Sequence, residues 1–181
     1  MESTEIKQIE ADPLTDKEIK EYLPDVPIIK YSDLSEISSI EELLPKDKTY
    51  VICLYEESPN VGHWICFLRY NNIFEYFDSY GEKIDSPLNW TSVGIRKELD
   101  QYTPYLSNLL KKSKLKVVQN KTKYQKESSN IATCGRWCIF RILSNRKEDI
   151  DLPEFKQLIK KCIKTFKVPN DELISYLISA T

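Results

Sequence analysis

A chain of 181 residues that is 41% apolar and 30% charged has the material for one domain with a core of its own and a charged surface, plus a short N-terminal extension. No apolar run approaches the roughly 18 residues needed to span a membrane, and Met1 to Glu5 offer neither the basic nor the apolar region of a secretory signal. These features exclude a helical membrane protein and lead us to expect a non-secreted one. The formal net charge of −2 conceals a gradient, since residues 1–60 carry 15 acidic and 6 basic side chains and residues 61–181 carry 13 and 20.

In chain order, Thr15-Asp16 is expected to cap a short helix through Leu23. Pro24 and Pro27 then break the chain, and Ile40 to Leu44 read as a helical turn stopped by Pro45. Thr49 to Tyr55, Trp64 to Tyr70 and Ile73 to Asp78 are short, rich in Val, Ile, Tyr and Phe, and predict strands. Their apolar residues are nearly continuous, so the sheet is expected to be covered on both faces. Asn71-Asn72 supplies a tight turn between the last two. Ser92 to Lys112 has helical spacing with a kink at Pro104, and Leu115 to Gln119 predicts a further strand. A polar loop over 120–132 leads into an apolar helix over Cys134 to Ser144. Pro153 to Cys162 and Asp171 to Ile178 complete the chain as helices with acidic first turns. Strands in the middle and helices at the end make an α+β domain. Residues 46–181 are expected to form this domain and residues 1–45 an extension or accessory segment.

The chemistry-bearing residues lie in the order His63, Asp78, Gln125, Cys134. If Asn71 and Asn72 are the two loop residues of the hairpin, Asp78 opposes Ile65, which shares a face with His63 two residues away. His63 and Asp78 then become diagonal neighbours on one face, while Glu75 opposes Leu68 on the other. The turn therefore selects Asp78 to orient the imidazole. Of the five cysteines, only Cys134 has loop before it and helix after it. A helix N-terminus and a neighbouring imidazolium both favour the thiolate that acts as nucleophile. Cys138, one turn deeper, and Cys53, Cys66 and Cys162 read as buried thiols of a reducing compartment. An oxyanion needs donors. The Cys134 N–H is one, and Gln125 is the only glutamine in the preceding loop, with Ser128 and Asn130 as substitutes.

Gly62-His63-Trp64, Phe77-Asp78-Ser79, Gln125 and Thr133-Cys134-Gly135 together resemble the adenovirus-type and SUMO-deconjugating cysteine peptidase superfamily. Cys134-Gly135-Arg136-Trp137-Cys138 is most similar to capsid-maturation proteases of large DNA viruses and virophages. The resemblance spans about residues 48–145. It implies a papain-like, circularly permuted fold with a central mixed or antiparallel sheet flanked by helices. It also implies a thiol endopeptidase cutting after small residues, typically glycine, with Trp64 lining the substrate cleft. The expected substrate is a capsid or core precursor polypeptide, and the expected location is the virion or host cytoplasm. A monomer with no cofactor is expected, with a peptide or DNA as potential activator. Gln125 stands nine positions before Cys134, further than is usual in this family.

Other readings compete. An acyl-cysteine acetyltransferase or a deubiquitinase or SUMO-type isopeptidase would use the same thiolate. A zinc site from Cys134, Cys138 and His63 or Cys66 lacks the short cysteine pair such sites favour. A non-enzymatic binding module is the remaining alternative. The basic stretches at 111–126 and 156–167 are explained by solvated faces, with an anionic partner such as nucleic acid as the sharper alternative.

Overall fold

The structure is a computed structural model that describes residues 3–179. Five strands form one mixed sheet in sequence order: β1 (Ile28–Lys30), β2 (Thr49–Ser58), β3 (Val61–Tyr70), β4 (Ile73–Phe77) and β5 (Lys116–Gln119). The central hairpins are antiparallel, and β1 and β5 pair parallel to β2 and β4 at the two edges. The architecture is the α+β arrangement expected of a papain-like cysteine protease.

Alternate residues of the long strands enter two separate cores. Ile52, Leu54, Trp64, Cys66 and Leu68 face a core that contains α6 (Cys134–Glu148), and Val51, Cys53, Ile65 and Phe67 face a second one with Tyr31, Leu34, Ile40 and Leu106. Burial on both faces is why these strands read as continuous apolar runs rather than alternating ones. α6 is enclosed along most of its length, with Trp137, Cys138, Ile139 and Ile142 fully buried. α7 (Leu152–Phe166) and α8 (Asn170–Leu177) complete that layer.

The β3–β4 turn has two residues. Asn71 and Asn72 adopt φ of 48° and 60°, the left-handed pair that a type I′ turn requires and that Asn tolerates. The register then pairs Leu68 with Glu75 and Cys66 with Phe77, so Asp78 follows directly at the end of β4. At the other end of β3 the β2 pairing is irregular between Glu56 and Ser58. Gly62 sits there so close to β2 that a Cβ would stand 1.8 Å from the Tyr55 carbonyl oxygen. Only glycine fits immediately before His63.

Upstream, α1 (Ser3–Ala11) precedes α2 (Asp16–Tyr22), which starts with a capping box. The Thr15 hydroxyl accepts from the Glu18 N–H, and the Glu18 carboxylate accepts from the Thr15 N–H at 2.8 Å. Leu14, Ile19, Leu23 and Val26 enter the core beside α6. The continuous helix expected over 92–112 is instead two, α4 (Val93–Glu98) and α5 (Tyr105–Leu110), after the short α3 (Ile40–Leu43). Asp100 turns left-handed at φ 52°. The Gln101 carboxamide then leaves the helix path to pair with both backbone groups of Glu56 at 2.8 Å. Satisfying the end of β2 outweighs continuing a helix that Pro104 would interrupt anyway.

Candidate active site

His63 lies near the start of β3, Asp78 just past β4 and Cys134 at the first turn of α6, so three elements converge on one point at the end of the sheet. His63 Nε2 and Asp78 Oδ1 are 2.8 Å apart. Cys134 lies close enough to the same imidazole to favour its protonated form. Burial pulls the imidazole toward its neutral form, but the Asp78 charge and hydrogen bond, with Cys134 behind them, outweigh it and push the His63 pKa up to about 10. His63 is thus the charged partner of a carboxylate and a sulfur in a site closed to solvent, being 3% exposed.

Asp78 is itself held. Its Oδ1 also accepts from the Tyr80 N–H at 2.8 Å, and its backbone carbonyl accepts from Asn120 Nδ2 at 2.6 Å. Glu75, three residues earlier, points to the other face and accepts from both Nε and Nη2 of Arg141 at 2.7 Å.

The N-cap residue of α6 is Thr133, yet its hydroxyl does not cap the helix. It donates instead to Asp171 Oδ1 at 2.6 Å. The first-turn N–H groups beside Cys134 therefore carry no side-chain cap, and the positive end of the helix faces the sulfur. Gly135 lets this turn pack tightly, since a Cβ there would come within 3.3 Å of both Leu14 and Trp64.

Gln125 is brought to the same place, 2% exposed. Ser128 and Asn130 remain exposed in the loop beyond it. The Gln125 Oε1 accepts from Ser79 Oγ at 2.8 Å, and Nε2 donates to the Tyr80 hydroxyl at 3.1 Å and the Ile131 carbonyl at 3.3 Å. The additional residues between Gln125 and Cys134 are taken up by a surface turn closed by Ile131 N–H to Ser128 O. Trp64 is fixed by donating from Nε1 to the Leu14 carbonyl at 3.0 Å. It lines a cleft of 710 Å³ together with Leu14, Asp16, Ile28, Leu54 and Gly62.

Three further residues belong to this centre and carry no local signature in the sequence. Tyr80 stacks on His63 with ring centroids 4.7 Å apart, and Trp90 packs against the same imidazole at 5.2 Å. Asp171, on α8, holds Thr133 through one oxygen and the Lys126 N–H through the other at 2.9 Å, joining the residue before Cys134 to the residue after Gln125. Burial raises its pKa. Asp171→Asn can satisfy one of these donors but turns an N–H group toward the second. We expect a loss of about 1–3 kcal/mol, read as a lowered urea midpoint at unchanged slope. A midpoint equal to wild type would show that the clasp carries no stability.

Among the described residues, no group of three or more His, Cys, Asp or Glu side chains is placed to hold a metal ion. No helix among them is long and apolar enough to cross a membrane.

No family model matches the chain. In overall structure it is similar to the ASFV pS273R protease, with a TM-score of 0.52 at 13% identity, covering 96% of this chain and 68% of that one. The SUMO protease Ulp1 aligns with a TM-score of 0.44 at 15% identity, over 98% of this chain and 83% of that one. In sequence, it is 36% identical over 175 residues to the uncharacterized protein V9 of Sputnik virophage, covering 96% of this chain and 98% of the relative. A relative of that identity, matched over nearly all of both chains, shows the family: the chain belongs to the family of the virophage V9 protein, and it has the fold of a viral cysteine protease.

Proposed function

We propose that the protein is a cysteine endopeptidase that cleaves after small residues, typically glycine, and processes capsid or core precursor polypeptides during virion maturation. The observation that carries this reading is the convergence of Cys134, at the N-terminal turn of α6, on an imidazole held by a buried carboxylate at 2.8 Å. Cys134 attacks the scissile carbonyl. His63, already protonated, delivers its proton to the leaving amine, then as neutral imidazole activates the water that releases the acyl group. Asp78 orients His63. The Cys134 N–H and the Gln125 amide mark the oxyanion site. Trp64, clamped to Leu14, narrows the cleft so that small side chains pass. Residues 46–181 carry the chemistry, and the N-terminal segment supplies one wall of the cleft through Leu14 and Asp16.

Membership of a virophage family and a fold shared with a viral protease support a role in viral processing. No cofactor enters this scheme, and the protein acts as a monomer in the virion or host cytoplasm. The basic stretches at 111–126 and 156–167 are where an activating nucleic acid would lie. The test is a library of glycine-containing peptides and virion structural proteins incubated with the purified protein. Cleavage after glycine by wild type, absent in Cys134→Ala, is expected. Equal cleavage by both would reject the reading.

A further inference from the structure

The Gln125 carboxamide is spent on the protein itself. Its oxygen accepts from Ser79, and the two hydrogens on Nε2 go to the Tyr80 hydroxyl and the Ile131 carbonyl. A carboxamide has two N–H donors and no more. The group that touches Gln125 from the side of the imidazole is Tyr80. Its ring lies parallel to His63 at 4.7 Å with 20° between planes, and its N–H is fixed to Asp78 Oδ1. Tyr80 therefore joins the imidazole, through its ring, to the Gln125 amide, through its hydroxyl. The hydroxyl oxygen accepts from Gln125, and its own proton has no acceptor among the described residues. Burial, then the charges of Cys134 and Asp78, push the Tyr80 pKa up to about 12, so that the proton stays on the oxygen across the neutral range.

We infer that the Tyr80 hydroxyl is a catalytic residue, the side-chain donor that stabilises the oxyanion alongside the Cys134 N–H, with Gln125 behind it as the group that positions it. The inference rests on the peptidase reading above. In the step concerned, the thiolate adds to the carbonyl carbon, a C–S bond forms and the carbonyl π pair moves onto oxygen. Tyr80 donates a hydrogen bond to that oxygen without transferring its proton. The pair returns as the C–N bond breaks, its electrons leaving with the nitrogen, which takes a proton from His63, giving the acyl-thioester and the free amine.

Tyr80→Phe keeps the ring over His63 and removes only the hydroxyl. Two reactions of Cys134 separate the roles. Alkylation by iodoacetamide passes through no oxyanion, whereas acylation by p-nitrophenyl acetate does, releasing nitrophenolate in a burst. In Tyr80→Phe we expect alkylation within about twofold of wild type and burst acylation slower by about 10²-fold, the usual worth of one oxyanion donor. Acylation within about threefold of wild type would overturn the inference and leave Gln125 as the donor. A parallel fall in both reactions would overturn it as well, by placing Tyr80 on the thiolate–imidazolium pair. Failure of the peptidase reading looks different: wild type itself would show neither His63-dependent alkylation nor a burst.

Discussion

Cys134→Ala is expected to abolish peptide cleavage, by about 10⁴-fold or more, with little change in folding stability, because it removes one sulfur from a 6%-exposed position and strands no charge. His63 behaves differently. From sequence alone, His63→Ala would be expected to remove activity and leave the fold nearly untouched. The structure corrects that expectation. Asp78 is fully buried, and deleting the imidazole leaves its carboxylate without a charged partner, a situation that costs about 3–5 kcal/mol. His63→Gln is the sharper probe, since its amide can still donate to Asp78. We expect it to fold and to lose activity as Cys134→Ala does.

The thiolate–imidazolium pair can be read without a substrate. With the His63 pKa raised to about 10, the imidazolium persists well above the usual histidine range, and a positive charge beside a sulfur is what makes a cysteine nucleophilic. Site-resolved iodoacetamide labelling near pH 6 should modify Cys134 about 10²-fold faster in wild type than in His63→Gln, while the buried Cys53, Cys66 and Cys138 remain unlabelled. Labelling of Cys134 at the same rate in both would sink the pair. The same raised pKa sets a stability window. The charged His63–Asp78 interaction stabilises the fold fully below about pH 6.5, the unfolded histidine value, and this contribution is lost as the pH rises toward 10.

A stability effect of the same size is expected at Glu75 and Arg141. Both side chains are fully buried, joined by two 2.7 Å hydrogen bonds, and Glu75 also accepts from the Tyr70 hydroxyl at 2.5 Å. Burial alone would favour a neutral Arg141, but the Glu75 charge more than compensates and raises its pKa. The pair ties β4, whose end carries Asp78, to α6, whose start carries Cys134. Arg141→Met leaves an unpaired carboxylate in the core and is expected to cost about 3–5 kcal/mol, a large share of a typical domain's stability. Replacing both partners, Glu75→Leu with Arg141→Met, should return most of it. Urea unfolding of the two single variants and the double variant measures the coupling. Additive losses would show that the pair is not a unit.

Much of the fold is local physics and was legible as such. The Thr15 capping box, the Pro24 stop, the Asn71-Asn72 turn and the apolar run of α6 each act within a few residues. The hairpin register follows from the turn length by counting. Other features depended on distant partners. The helix expected over 92–112 is broken because Gln101 finds the backbone of Glu56, 45 residues away. α1 gives little warning of itself, because its anchorage comes from packing against α8 and from the Glu10 carbonyl, which accepts the Ala132 N–H.

The site divides along the same line. Chain order, strand parity and the loop-to-helix junction in the sequence are enough to single out His63, Asp78, Gln125 and Cys134, because each is marked by its own immediate neighbours. Only the tertiary structure decided what surrounds them. Tyr80 and Trp90 close on His63, Thr133 turns from its helix toward Asp171, Trp64 is fixed by the Leu14 carbonyl, and the Gln125 amide is consumed by Ser79, Tyr80 and Ile131. Those contacts join segments up to 50 residues apart. A one-dimensional pattern specifies what a residue's neighbours in the chain dictate, but the partners that satisfy a buried polar group are chosen by packing.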